Sequence, residues 1–61
     1  MKLKKFLEMY DNWNDVIYIN DNNLNRLAEE NPEIIYHNPN LAEKKVVAFG
    51  FYEENLYIRV K

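Results

Sequence analysis

Lys45-Val-Val-Ala-Phe-Gly-Phe-Tyr-Glu-Glu-Asn-Leu-Tyr-Ile-Arg-Val-Lys61 reads as two β-strands joined by a tight turn. β-Branched and aromatic residues fill both arms, and the polar stretch Glu53-Glu54-Asn55 interrupts them. A hairpin alone is marginal in water. The residues ahead of it must therefore supply a third strand and a helix that covers its apolar face.

Alternation along the two arms decides which side chains are free to bind. An even-length loop gathers Val47, Phe49, Phe51, Leu56, Ile58 and Val60 on one face and leaves Ala48, Gly50, Tyr52, Tyr57 and Arg59 on the other. The expected pairs are Phe51 with Ile58, Phe49 with Val60, Tyr52 with Tyr57, and Gly50 with Arg59. Glu54 is a poor residue for the positive φ of a two-residue type I′ turn, so a four-residue loop is expected. A three-residue loop with Asn55 left-handed at a bulge would pair Phe51 with Tyr57 and Tyr52 with Leu56, inverting every side chain. On the even register Phe49 is a core residue packed opposite Leu3, Phe6 and Leu7.

The 61 residues make a single small domain, residues 1–61. A core of this size contributes ~3–5 kcal/mol net at most, and small proteins commonly add disulfides, a metal or a partner subunit. There is no cysteine and one histidine, His37, which leaves self-association as the common remaining route; a homo-oligomer is expected. No cofactor or metal is expected. The N-terminal residues contain no apolar run long enough for a signal peptide or membrane span, so the cytoplasm is the expected location and no membrane partner is expected. The net charge of −2 is uneven: residues 1–10 carry +2, residues 11–43 carry −6 and residues 44–61 carry +2. An acidic middle does not suit non-specific nucleic-acid binding, which needs a basic field.

The chain has no serine, threonine, cysteine or glutamine, while ten residues are asparagine. Hydroxyl-triad, thiol and Walker-type chemistry are thereby excluded. Glu29-Glu30 and Glu53-Glu54 are adjacent carboxylates that point to different sides of a helix or strand, so neither pair converges on one substrate. Asp11-Asn12-Trp13-Asn14-Asp15 and Asn20-Asp21-Asn22-Asn23 are rich in oxygen ligands but lack the glycine and glutamate spacing of a calcium loop. No catalytic residue is expected, and the chain reads as a binding protein without enzymatic activity.

Leu3, Phe6, Leu7 and Tyr10 recur at helical spacing and predict an amphipathic helix over Lys2–Tyr10. Lysines in its first turn oppose the helix dipole, so that turn needs a nearby carboxylate. Val16 to Ile19 predicts a strand that is central or buried in an interface, being apolar on both faces. Leu24, Leu27 and Ala28 share a helical face behind capping candidates at Asn20 to Asn23, which predicts a short middle helix stopped by Asn31-Pro32. Residues 33–37 read as an edge strand or an apolar loop, and Leu41 to Lys44 as one helical turn. The predicted fold is α+β, with an N-terminal helix and a short middle helix on a three- or four-stranded, mainly antiparallel sheet ending in the C-terminal hairpin.

Binding candidates follow from residue type. Tyr52 and Tyr57 beside Arg59 form an expected cross-strand patch, and Trp13 is either a core cap or an interface anchor. Tyrosine and arginine are enriched at interface hot spots, and they also stack on bases and grip phosphates.

The runs Phe6-Leu7-Glu8-Met9-Tyr10-Asp11-Asn12-Trp13-Asn14, Val46-Val47-Ala48-Phe49-Gly50-Phe51-Tyr52 and Leu56-Tyr57-Ile58-Arg59-Val60 resemble small proteins of phages and prophages of low-GC Gram-positive bacteria. The resemblance covers both ends of the chain and carries no functional residue with it. It implies a context in which short proteins act on host machinery, including CRISPR-nuclease inhibitors and sponges for cyclic-nucleotide immune signals. Two functions are therefore expected as alternatives. One is an inhibitor or adaptor that binds a host protein in the host cytoplasm; the other is an oligomer that sequesters a nucleotide ligand between subunits. A structural or assembly protein is the third.

Overall fold

Two hairpins, rather than one, build the sheet. In the computed structural model, which describes all 61 residues, helix α1 (Leu3–Glu8) precedes strands β1 (Ile17–Asn20) and β2 (Arg26–Glu30). Helices α2 (Pro32–Tyr36) and α3 (Pro39–Ala42) then lead to strands β3 (Val46–Tyr52) and β4 (Asn55–Val60). The strand order is β2-β1-β4-β3. Both hairpins are antiparallel while β1 runs parallel to β4, so the domain is α+β with a mixed four-stranded sheet. No helix is long and apolar enough to cross a membrane.

The C-terminal hairpin keeps the predicted faces but closes more tightly than expected. Its pairs are Tyr52 with Asn55, Phe51 with Leu56, Gly50 with Tyr57, Phe49 with Ile58 and Ala48 with Arg59. The loop is thus Glu53-Glu54 alone, and the expected pairs are each displaced by two residues. Even spacing preserves the parity, which is why the face assignment survives the shift. Both turn residues adopt positive φ, 50° at Glu53 and 70° at Glu54, in the two-residue form that glutamate disfavours. A bulge between Val46 and Ala48 sets Val46 opposite Val60.

The predicted middle helix is a strand. Arg26–Glu30 pairs with β1 through Ile17 with Glu30, Tyr18 with Glu29 and Ile19 with Ala28. Asp21, expected to help cap a helix, instead closes a hairpin turn: its Oδ1 accepts from the Asn23 and Asn25 amides at 2.8 and 2.9 Å. Leu24 then reverses the chain at φ 67°. A helix of one or two turns is weak by itself, whereas β2 satisfies the otherwise bare edge of β1.

Asn31-Pro32 starts a helix where a stop was expected, and the segment read as strand or loop is α2. Asn31 Oδ1 accepts from Ile34 N at 3.2 Å and Pro32 occupies the first turn, where a missing N–H costs nothing. Asn38-Pro39 repeats the device at α3, with Asn38 Oδ1 accepting from Asn40 N at 3.0 Å. At α1, Lys2 offers no side-chain cap, but its Nζ reaches Glu43 Oε1 at 2.6 Å, which supplies the carboxylate that the lysine-rich first turn requires.

One apolar cluster joins the layers. Leu3 and Leu7 of α1, Ile35 of α2 and Leu41 of α3 meet Ile17 and Ile19 of β1 and Leu56, Ile58 and Val60 of β4. The helices have six, five and four residues, hence lengths below ~10 Å, and they cover chiefly the central strands. Phe49 and Phe51 lie on the core side of the sheet yet remain 60% and 64% exposed, and Val47 is exposed too. The expected burial of these three residues is therefore corrected: on β3 only Val46 packs against the cluster, with Phe49 touching Phe6 edge-on at 4.9 Å.

Ile58→Ala should cost ~2–5 kcal/mol, the range for emptying a closed core site, whereas Phe49→Ala should cost about 1 kcal/mol because most of its ring is already in water. Chemical denaturation of the two variants measures the contrast. In the turn, Glu54→Gly removes a side chain from a positive-φ position and should raise the melting temperature by several degrees.

Candidate functional site

The face of the sheet away from the helices carries two rows of side chains fixed by the strand registers. One row runs Ala48, Arg59, Asn20 and Arg26 from β3 to β2. The next runs Gly50, Tyr57, Tyr18 and Glu29. Parallel pairing of β1 and β4 sets Tyr18 beside Tyr57, and their rings stack at 4.6 Å with 15° between planes. Tyr52 meets Tyr57 edge-on at 6.3 Å. The Arg26 guanidinium covers the other end, 4.7 Å from the Tyr18 ring and 5.7 Å from that of Tyr57. An aromatic ladder thus crosses β3, β4 and β1, and Arg26 of β2 closes its end.

The two arginines of this face are in different states. Arg26 is satisfied: its Nε donates to Asn20 Oδ1 at 2.7 Å and its Nη1 to Glu29 Oε1 at 2.8 Å. Arg59 forms no ion pair, and its Nε is shut off from solvent without a hydrogen-bond partner. An unmet buried donor costs ~1–3 kcal/mol. Beside it lies an open cavity of about 190 Å³ lined by Asn20, Leu24, Ala48, Tyr57 and Arg59 together with Phe49 and Ile58.

The β1–β2 turn forms one rim of that cavity. The Asp21 carboxyl lies below its ordinary value of 3.8, chiefly through the Asn25 backbone amide, with further help from the Asn25 side chain, the Asn23 amide and the charge of Lys44. These bonds hold the turn that presents Leu24.

Of the residues singled out from sequence, Tyr52, Tyr57 and Arg59 share the open face, where Tyr52 meets Tyr57 and only Tyr57 and Arg59 line the cavity. Trp13 does not join them. It packs against the helix-side core, donates Nε1–H to Leu7 O at 3.0 Å and lies 5.4 Å from the Tyr36 ring. Tyr18 and Arg26 were not singled out, because only the non-local β1–β4 register brings them to Tyr57. His37 is exposed and stands 3.7 Å from Glu33, an approach that helix α2 makes possible. No group of three or more histidine, cysteine, aspartate or glutamate side chains could hold a metal ion. Tyr36 donates to Glu8 at 2.9 Å, and this bond raises its phenol above the ordinary range.

A second surface flanks the first. β3 is an edge strand whose seven residues include no charge and no proline, the usual protections of an exposed edge. Only its first residue is covered, where Val46 N donates to Met1 O at 2.8 Å. The acidic residues Glu29 and Glu30 lie at the opposite edge on β2, so the negative middle of the sequence and the apolar edge are separated by the width of the sheet.

No protein-family model, curated protein or solved structure matches the chain.

Because the folded Asp21 pKa is depressed, the turn's ionic contribution to stability is complete above pH ~3.8 and is lost as the pH falls through the lower folded value. The amide resonances of Asn23, Leu24 and Asn25 should titrate together in that acid window. Asp21→Asn should abolish the shared titration, as followed by nitrogen–proton correlation spectra.

Proposed function

We propose that this chain is a non-enzymatic protein-binding domain, an inhibitor or adaptor that engages its partner through the bare edge of β3 and the exposed phenylalanines on its helix side. The observation that carries this reading is the exposure of Phe49 and Phe51, 60% and 64%, on an edge strand with no gatekeeping charge. Phe6, Met9 and Tyr10 line a shallow apolar depression, and Phe6 also touches Phe49, which extends the patch from the strand onto α1. Strand addition suits such a surface: backbone bonds supply affinity, while alternate side chains select the partner. The resemblance to phage proteins supports a host protein as the target, a defence component in the host cytoplasm among them. The same edge in a second copy supports homo-oligomerisation, because antiparallel pairing of two β3 strands would cover both phenylalanine pairs.

The alternative, a binder that sequesters a nucleotide, draws support from Arg59, the unpartnered cation of the open face.

Phe51→Lys tests the edge. With its ring already in water, the variant should melt within a few degrees of the parent, yet self-association measured by light scattering and capture of a host protein should weaken by ~2 kcal/mol or more. Unchanged association in a folded variant would remove β3 from consideration.

A further inference from the structure

We infer that the cavity between Tyr57, Arg59 and Leu24 is a binding site for a mononucleotide, complete within one chain. This site shares Ala48 and Phe49 with β3 but does not use the strand's unpaired backbone edge, and it requires no second copy. At about 190 Å³ the cavity falls below the ~300–1,000 Å³ of pockets for drug-sized ligands, so it suits one ring system with its phosphate outside and not a dinucleotide.

The chemistry of the lining points the same way. Tyr57 offers an aromatic wall, Leu24 an apolar one, and Ala48 a small side chain that leaves the floor low. The Asn20 carbonyl already accepts from Arg26, which leaves its amide N–H groups for ring or ribose acceptors. Arg59 supplies the charge. Because its Nε–H is unpaired and no carboxylate neutralises it, the side-on Nε/Nη fork that fits a phosphate is unused. Neighbouring acids are otherwise engaged: Glu29 holds Arg26, and Asp21 holds Asn23 and Asn25.

Two unfavourable features meet at this cavity. One is the buried orphan donor on Arg59, and the other is the left-handed backbone of Leu24, at φ 67° in a residue with no intrinsic preference for it. Strain of this kind persists where surrounding structure imposes it, and it gathers at ligand sites. Because Nε is closed to solvent, a phosphate reaches it only when the side chains around Arg59 shift.

Titration of the wild-type chain with each of the four ribonucleoside 5′-monophosphates, and separately with inorganic phosphate, tests the site by nitrogen–proton correlation spectra that include the Arg59 Nε–H signal. At least one nucleotide should produce saturable shifts at Arg59, Tyr57 and Leu24 together, at concentrations at least about tenfold below those needed for phosphate. Arg59→Lys keeps the charge but lacks the fork and should weaken binding by about tenfold or more. Ala48→Leu fills the floor and should abolish saturation while its melting curve stays near that of the parent. Three results would overturn the proposal: no saturable shift with any nucleotide at millimolar concentration, phosphate binding as tightly as the nucleotides, or full affinity in folded Ala48→Leu. Shifts confined to Lys2, Lys4 and Lys5 would equally reject it. Tight binding of a single-stranded oligonucleotide without binding of mononucleotides would reassign the face to nucleic acid.

Discussion

Parallel pairing of β1 with β4 is the contact on which both hairpins depend. Each hairpin taken alone is a two-stranded ribbon, marginal in water, and neither brings enough apolar surface to hold a helix. Joined through Tyr18–Tyr57, Ile19–Ile58 and Asn20–Arg59, they set Ile17 and Ile19 beside Leu56, Ile58 and Val60 as one apolar floor. Leu3, Leu7, Ile35 and Leu41 close that floor from above. The same pairing stacks Tyr18 on Tyr57 across the opposite face. One register thus creates the core and the aromatic ladder together.

Short helices explain what this arrangement leaves open. Cover by α1, α2 and α3 extends over the two central strands, and the outer strands receive little of it. On β2 the consequence is mild, since the residues there that share the core side are Ala28 and Glu30, one small and one charged. On β3 the residues in the same position are Phe49 and Phe51. Two edges with equal lack of cover therefore differ in character: one is acidic and self-protecting, the other apolar and bare. Lys44 and Lys45 precede β3 and Glu53 and Glu54 follow it, so the charges lie at the two ends of the strand and none along it.

How much of this was legible in the sequence depends on whether the deciding contact is local. Alternation along Leu56 to Val60 fixed the buried trio and placed half-buried Tyr57 and Arg59 on the other face, because a period of two survives any even displacement of the register. The displacement itself was not readable, since burial of Leu56 and Ile58 drives Glu53 and Glu54 into a turn that their own preferences oppose. Asn31-Pro32 carries a helix-start signal as plainly as a stop signal, and only the buried Ile35 downstream distinguishes the two. Leu24, Leu27 and Ala28 have helical spacing over too short a span to form a stable helix, and the unfilled edge of β1 claimed the segment instead. Tyr18 and Arg26 escaped notice for a similar reason: nothing near them in sequence encodes the parallel partner that brings them to Tyr57.

The single glycine lies away from every position where the backbone needs one. Left-handed backbone occurs at Leu24, Glu53 and Glu54, where glycine would relieve roughly 1–2 kcal/mol at each position. Gly50 instead lies in an ordinary strand conformation, and a Cβ there would meet nothing within 4 Å. Neither a turn nor close packing requires it. Its effect is on the surface: opposite Tyr57, in the row that continues through Tyr18, it adds no side chain to the open face. In a domain with eleven buried residues and no disulfide, leaving three strained positions unrelieved is a substantial cost. The chain's one glycine therefore relieves none of the left-handed positions, and both hairpin turns hold their backbone against the preference of their own residues.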